Sequence, residues 1–253
     1  MNRLIAAALF CSVLLPADDG RAPVIVELFT SEGCASCPAA DALLARMERI
    51  QPVASARVIA LEEHVDYWNQ LGWTDPFSLP QFHARQNEYA LAAHVENIYT
   101  PQMIVNGQVA FEGDDAGRAY EEIGLAAQAP MTTVELSTAP NSRDGQLLDL
   151  SVRISNPKNA KLREANLYLA VTESDVTAFV GSGENAGRTL HHSEVVRSFN
   201  AIGRIDPKGS SAGQVVSTLR LPREWRRDKL RAVVFVQERG TFRITGANTI
   251  DLR

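Results

Sequence analysis

The stretch that most constrains this chain is Cys34-Ala35-Ser36-Cys37-Pro38. It follows an apolar run, Val24-Ile25-Val26-Glu27-Leu28-Phe29, and leads into a segment where Ala40, Leu43, Leu44, Met47 and Ile50 recur at helical spacing. Two thiols three positions apart at a strand-to-helix junction can close a small disulfide ring. Pro38 fits the first helical turn, because its missing N–H has no helical partner there. The unpaired N–H groups and dipole of a helix N-terminus favour a thiolate, and only the thiolate attacks a disulfide. Cys34, nearer the helix start and solvent, is the expected nucleophile. Cys37, inside the first turn, is the expected resolving thiol.

Cysteine usage narrows the setting. The third cysteine, Cys11, lies in residues 1–17, which read as a secretory signal: Arg3 is followed by the 12-residue run Leu4 to Leu15, in which only Ser12 is polar. That run is too short to span a bilayer. Removing residues 1–17 removes one charge, Arg3, so the net charge goes from −5 to −6. The mature chain then keeps only Cys34 and Cys37, so disulfides are not its general staples. No later apolar run reaches membrane-spanning length, and we expect a periplasmic or secreted protein without an integral membrane anchor after signal cleavage. The acidic balance and the lack of a basic stripe argue against nucleic-acid binding.

The apolar run at 24–29 suits a strand covered on both faces. Pro52 closes the first helix, and Val58-Ile59-Ala60-Leu61 reads as a second buried strand. Ser78 is a candidate cap for a second helix bearing Leu79, Phe82, Gln86, Tyr89 and Ala93. Asn106-Gly107 between two apolar runs predicts a type I′ hairpin, since both turn residues must take positive φ. Asp114 or Asp115 is placed to cap a third helix, closed by Pro130. Beyond Pro130 the helical spacing fades. Short β-prone runs follow at 132–137, 147–154, 165–171, 176–180, 194–199, 214–219, 231–237 and 241–244, with turn residues between them. They predict a β-sandwich. The expected layout is a signal at 1–17, an α/β domain at 22–130 and an all-β domain at 131–253.

Other residues carry two readings each. Glu27 interrupts a buried strand, where a carboxylate must be paired or protonated; it is either a general base with a raised pKa or an ion-paired strand residue. Asp66, Tyr67, Trp68 and Trp73 form either a substrate wall beside the dithiol or a small core under a loop. Glu62-Glu63 reads as a solvated strand end, His191-His192 as surface, and Arg223, Arg226, Arg227 and Arg231 as a solvated basic face. A metal site using both cysteines and His64 stays open beside the redox reading and a purely structural disulfide.

The order β, α, β, α, β-hairpin, α, with Thr100-Pro101 just before the hairpin, resembles the thioredoxin fold. That resemblance implies a cis proline at Pro101 lying against the dithiol, with Thr100 and Pro101 holding an incoming peptide or thiol. It also implies that Glu27 is the buried acid that moves protons for the resolving thiol, and copper chaperones of that fold keep the metal alternative alive. Val26-Glu27-Leu28-Phe29-Thr30-Ser31-Glu32-Gly33-Cys34-Ala35-Ser36-Cys37-Pro38-Ala39-Ala40-Asp41, His64-Val65-Asp66-Tyr67-Trp68, Leu71-Gly72-Trp73, Asp75-Pro76-Phe77 and Thr100-Pro101-Gln102-Met103 together resemble a bacterial exported family, domain of unknown function 1223. This second resemblance implies export and a thioredoxin-like domain but no substrate. The chain departs from thioredoxin in having Gly33 before the first cysteine and Ala35-Ser36 between the two. Such residues help set the potential, and known dithiols span about −270 to −120 mV, so the direction of electron flow is left open. The expected activity is cofactor-free thiol–disulfide exchange with protein or small-molecule thiols and disulfides, catalysed by Cys34, Cys37 and Glu27, with Thr100, Pro101, Asp66, Trp68 and Trp73 binding substrate. The alternatives are a non-catalytic exported binding module with a structural Cys34–Cys37 disulfide, and a copper chaperone.

Overall fold

A computed structural model describes residues 20–141, 146–155, 163–206 and 212–253. The expected signal segment with Cys11, and most of the predicted turn residues at 142–145, 156–157 and 207–209, lie outside the described residues.

The chain opens with β1 (Ala22–Thr30), α1 (Cys37–Ile50), β2 (Ala56–His64) and α2 (Pro80–Ala92). The hairpin β3 (Gln102–Val105) and β4 (Val109–Glu112) follows, then α3 (Ala116–Ala126). The hairpin turn is as its residues require: Asn106 and Gly107 have φ of 45° and 67°. A Cβ on Gly107 would also lie 2.1 Å from the Phe242 carbonyl oxygen, so the turn and a distant loop both need glycine. Asp115 caps α3 by accepting the Arg118 N–H at 2.9 Å. Ser78 does not cap α2. That position falls to Leu79, and the Ser78 hydroxyl bonds the Asp75 carbonyl instead.

The second half is β-rich: β5 (Thr133–Pro140), β6 (Leu147–Ser155), β7 (Ala165–Glu173), β8 (Val176–Phe179), β9 (Thr189–His192), β10 (Val195–Ile205), β11 (Ala212–Arg220), β12 (Leu230–Glu238) and β13 (Ile244–Asp251). The predicted strand at 241–244 begins at its last residue and runs on to Asp251, and β9 was not foreseen.

The α/β thioredoxin-like domain followed by a separate β-sandwich does not form. One mixed eight-stranded sheet, ordered β13-β12-β7-β10-β2-β1-β3-β4, runs through both halves of the chain. The join is at β2, where Val195 of β10 pairs beside Glu62 and the Glu62 N–H donates to the Glu194 carbonyl at 3.0 Å. Periodicity shows which face a strand buries but not which distant strand takes its free edge, and that edge decided the architecture.

Alternation places the layers. On β1, Val24, Val26 and Leu28 pack against Ala40, Leu44 and Met47 of α1 and Ala119 and Ile123 of α3. Ile25 and Phe29 face the other way, into a core shared with Phe82 and Tyr89 of α2 and with Ala170, Val196, Val233 and Phe235 from the second half. The reverse faces of β7 and β12 (Leu167, Leu169, Val234, Val236) are covered by a three-stranded sheet ordered β11-β6-β5. A two-layer β packing therefore does exist, built onto one end of the common sheet rather than standing alone. Among the described residues, no helix is long and apolar enough to cross a membrane.

Candidate functional site

β1 ends at Thr30, a turn follows, and α1 begins at Cys37. In the turn the Cys34 N–H donates to the Ser31 carbonyl at 3.1 Å, which folds Cys34 back toward the helix start. Cys34 and Cys37 are joined by a disulfide, with Cα atoms 5.4 Å apart. Cys34, expected near solvent, is only 1% exposed, and Cys37 is fully buried. The cover comes from the loop between β8 and β9. Asn185, itself buried, donates from Nδ2 to the carbonyls of Glu32 and Cys34, both at 2.9 Å. Arg188 holds the Asn185 Oδ1 at 2.6 Å, and Glu184 Oε2 accepts the Ala35 N–H at 3.0 Å.

The polar side chains of the predicted substrate residues are paired within the protein, and Trp68 packs against the α2-side core. Trp68 Nε1 donates to Thr100 Oγ1 at 2.8 Å, and Trp73 Nε1 to Glu32 Oε2 at 2.7 Å. Asp66 pairs with His83 at 3.2 Å, toward the surface. The Thr100–Pro101 peptide is cis. Pro101 lies beside the first turns of α1, because a Cβ added to Gly113 would meet Leu28, Pro101 and Ala40 at 2.8, 2.9 and 3.0 Å. Only glycine allows that approach.

Glu27 is buried but belongs to the α2 face of the sheet, opposite the face that packs on α1. Its Oε1 accepts from Arg85 Nε at 2.5 Å and its Oε2 from the Tyr89 hydroxyl at 2.6 Å. The ion-paired reading of Glu27 is therefore the one realised. Glu63, on the same face, lies 3.9 Å from Arg85. Burial, and then the charge of Glu27, push its carboxyl well above the usual carboxylate range. Glu62 and Glu63 are both fully buried, not a solvated strand end.

The α1 face of the same strands carries a second ionic cluster. Asp41 sits one helical turn after Cys37, buried, and accepts the Thr30 hydroxyl at 2.6 Å. Burial, and then the neighbouring Glu62, raise its carboxyl to about 7. His64 Nδ1 lies 2.7 Å from Asp75 Oδ2, and its Nε2 is 3.3 Å from Glu62 Oε1. His192, read as surface, is buried with its Nδ1 2.6 Å from Glu62 Oε1 and its Nε2 3.3 Å from Glu32 Oε1. Glu62 Oε2 accepts the Ser193 N–H at 2.8 Å. At Glu62 and His192 burial opposes ionisation but mutual attraction wins: Glu62 is held at about 2, chiefly by His192, and His192 is raised to about 9, chiefly by Glu62. Burial also opposes the charge on His64, which Asp75 and then Glu62 nevertheless lift well above the usual imidazole range.

Asp41, Glu62, Asn185 and His192 were thus not foreseen as site residues. Asp41 had a usable signal, its position four residues after Cys37 on one helix face. Asn185 and His192 reach the site only because β8, β9 and β10 fold back onto the first half. The basic residues also differ from a plain solvated face. Arg231 pairs with Glu48 at 2.5 Å and Glu194 at 3.4 Å, and Arg226 pairs with Glu173 at 3.4 Å.

These features define a mixed-sheet protein with a capped Cys-x-x-Cys disulfide at a helix start and a buried carboxylate–imidazole cluster behind it. The chain belongs to the family described as protein of unknown function (DUF1223), whose profile matches residues 25–237. Among solved structures it is similar to protein AGR_C_4864 from Agrobacterium tumefaciens, with 27% identity over 92% of this chain and 96% of that one and a TM-score of 0.71. HBP35 of Porphyromonas gingivalis, at 13% identity over 92% of this chain and 76% of that one, shares the fold with a TM-score of 0.64. No curated protein matches the chain.

Proposed function

We propose that the chain catalyses thiol–disulfide exchange at Cys34–Cys37, outside the cytoplasm. The observation that carries this reading is the disulfide at the start of α1 with Asp41 one turn behind Cys37. In the reduced protein, the Cys34 thiolate attacks one sulfur of a substrate disulfide. That S–S bond breaks, the other substrate sulfur leaves as a thiolate, and a mixed disulfide forms. Cys37 then gives up its proton toward Asp41, and its sulfur attacks Cys34. The second substrate thiolate leaves and the Cys34–Cys37 bond closes. Two electrons pass from the dithiol to the substrate, and the same steps in reverse oxidise a substrate dithiol. For a partner's sulfur to reach Cys34, the 181–188 loop must swing away from the Glu32 and Cys34 carbonyls.

The test is exchange between the reduced protein and a model disulfide. Wild type is expected to react, Cys34→Ala to lose all exchange, and Cys37→Ala to accumulate mixed disulfide. Equal behaviour of the two variants would defeat the assignment of roles.

A second reading is supported by the burial of Cys34 and the two bonds from Asn185: a fixed disulfide in an exported binding protein. A reduction potential below about −300 mV, with no exchange, selects it.

A further inference from the structure

The α1-face cluster contains a set of atoms that neither reading of the disulfide uses. Glu62 and His64 stand two apart on β2, so both side chains point to one face, and β9 brings His192 against them. One atom from each of the three lies within 4.8 Å of the others, and all three residues are buried. His64 Nε2 has no hydrogen-bond partner although it is fully enclosed; it is aimed at Glu62 Oε1, 3.3 Å away. An enclosed polar nitrogen without a partner costs on the order of 1–3 kcal/mol and asks for a ligand.

We propose that Glu62, His64 and His192 bind a divalent first-row cation, with zinc as the representative ion. Two imidazoles and one carboxylate are a zinc donor set, with metal–ligand bonds of about 2.0–2.2 Å. Ligands on a tetrahedral ion of that size stand about 3.3 Å apart. Glu62 Oε1 and His64 Nε2 already have that separation, 3.3 Å. Glu62 Oε1 and His192 Nδ1, at 2.6 Å, need only open by several tenths of an ångström as an ion replaces the proton between them.

The outer atoms are arranged as ligating side chains usually are, each steadied by a neighbour. The other nitrogen of His64 holds Asp75 Oδ2 at 2.7 Å, the other nitrogen of His192 faces Glu32 Oε1 at 3.3 Å, and the other oxygen of Glu62 holds the Ser193 N–H at 2.8 Å. The cysteines take no part, since their sulfurs are bonded to each other. The site stands independently of the exchange reaction. It would fasten β9, and with it the loop that covers Cys34, to β2.

The test uses the whole chain, disulfide intact, stripped with a chelator and titrated with zinc alone and with cobalt(II) alone. One equivalent of zinc is expected to stay bound through gel filtration and to raise Tm. Cobalt is expected to give visible d–d bands without a thiolate charge-transfer band. Binding should persist in the Cys34→Ala/Cys37→Ala double variant, disappear in His64→Gln and His192→Gln, and weaken roughly 10–100-fold in Asp75→Asn. No stoichiometric binding by wild type, binding that survives both histidine changes, or binding that vanishes with the cysteines would each overturn the proposal. Should a histidine variant fail to fold, the wild-type cobalt spectrum decides alone: a thiolate band, or the spectrum of the hydrated ion, overturns it.

Discussion

Strands β1 and β2 carry buried charge on both faces, and the two faces neutralise it differently. On the α2 side, Glu27 and Glu63 meet Arg85. The guanidinium bonds Glu27, Tyr89 and Gln237 at 2.5, 2.7 and 3.1 Å and lies over the rings of Tyr89 and Phe199 at 4.9 and 4.8 Å. Arginine keeps its proton at any working pH, so this arrangement is permanent. On the α1 side, Glu32, Asp41, Glu62 and Asp75 surround two imidazoles, and an imidazole can exchange its proton for a metal ion. One cluster is a fixture of the core. The other, behind the disulfide, has exchangeable counter-charges, and the proposed exchange reaction draws on that side rather than on Glu27.

The largest expected effect tests the fixture. Arg85→Met leaves Glu27 enclosed without its counter-charge, and breaking such a pair costs roughly 3–5 kcal/mol. Urea denaturation should show that loss at neutral pH. A variant within 1 kcal/mol of wild type, as an order-of-magnitude bound on what a buried pair can lose, would remove the distinction between the faces.

The α1 side should respond to pH through Asp41. Its carboxyl is raised from 3.8 to about 7 in the folded protein, so the native state keeps a proton that the unfolded chain has already lost. Stability relative to Asp41→Asn must then fall as pH rises from about 4 toward 7, by at most about 1.4 kcal/mol per pH unit, and level off above that window. Asparagine can still accept the Thr30 hydroxyl, so the comparison isolates the charge. Metal-free protein denatured across this range gives the slope, and parallel profiles would mean Asp41 is not perturbed.

Next in size is the cover over the disulfide. Asn185→Ala leaves the Glu32 and Cys34 carbonyls without their donor, at a cost of about 1–3 kcal/mol. Exchange of the reduced protein with a model disulfide should become faster, because the 181–188 loop is held less firmly. Lower stability without faster exchange would favour the fixed-disulfide reading.

How much of this was legible follows from the range of each interaction. The hairpin at Asn106-Gly107, the helix after Pro38 and the cap at Asp115 rest on neighbours in sequence, and their residues announce them. The disulfide needed only a spacing of three. The common sheet, by contrast, depends on β10 finding the edge of β2, and the site depends on Asn185 and His192 arriving from more than a hundred residues away. Nothing in Glu62-Glu63 distinguishes a solvated strand end from a strand whose edge is later covered. Export was read from the charged, apolar N-terminal segment and the boundary near residue 130 from the fading of helical spacing, signals that the contacts do not address. The boundary does coincide with the change from α3 to β5, but the shared core of Ile25, Phe82, Ala170 and Phe235 crosses it.

The smallest effect gives the sharpest contrast, because it sets two adjacent residues against each other. Glu63 is held neutral by burial and by the charge of Glu27, and a glutamine amide is neutral in the same place. Glu63→Gln should therefore change stability at neutral pH by less than about 1.5 kcal/mol, as an isosteric swap. Glu62 is ionised between two imidazoles and accepts the Ser193 N–H, so Glu62→Gln removes a charge that both histidines need. It should cost clearly more, approaching the roughly 3–5 kcal/mol of a broken buried pair. Both variants keep the side-chain volume, so thermal and urea denaturation compare charge alone. If Glu63→Gln proves the more damaging, the permanent and exchangeable clusters have been assigned to the wrong faces.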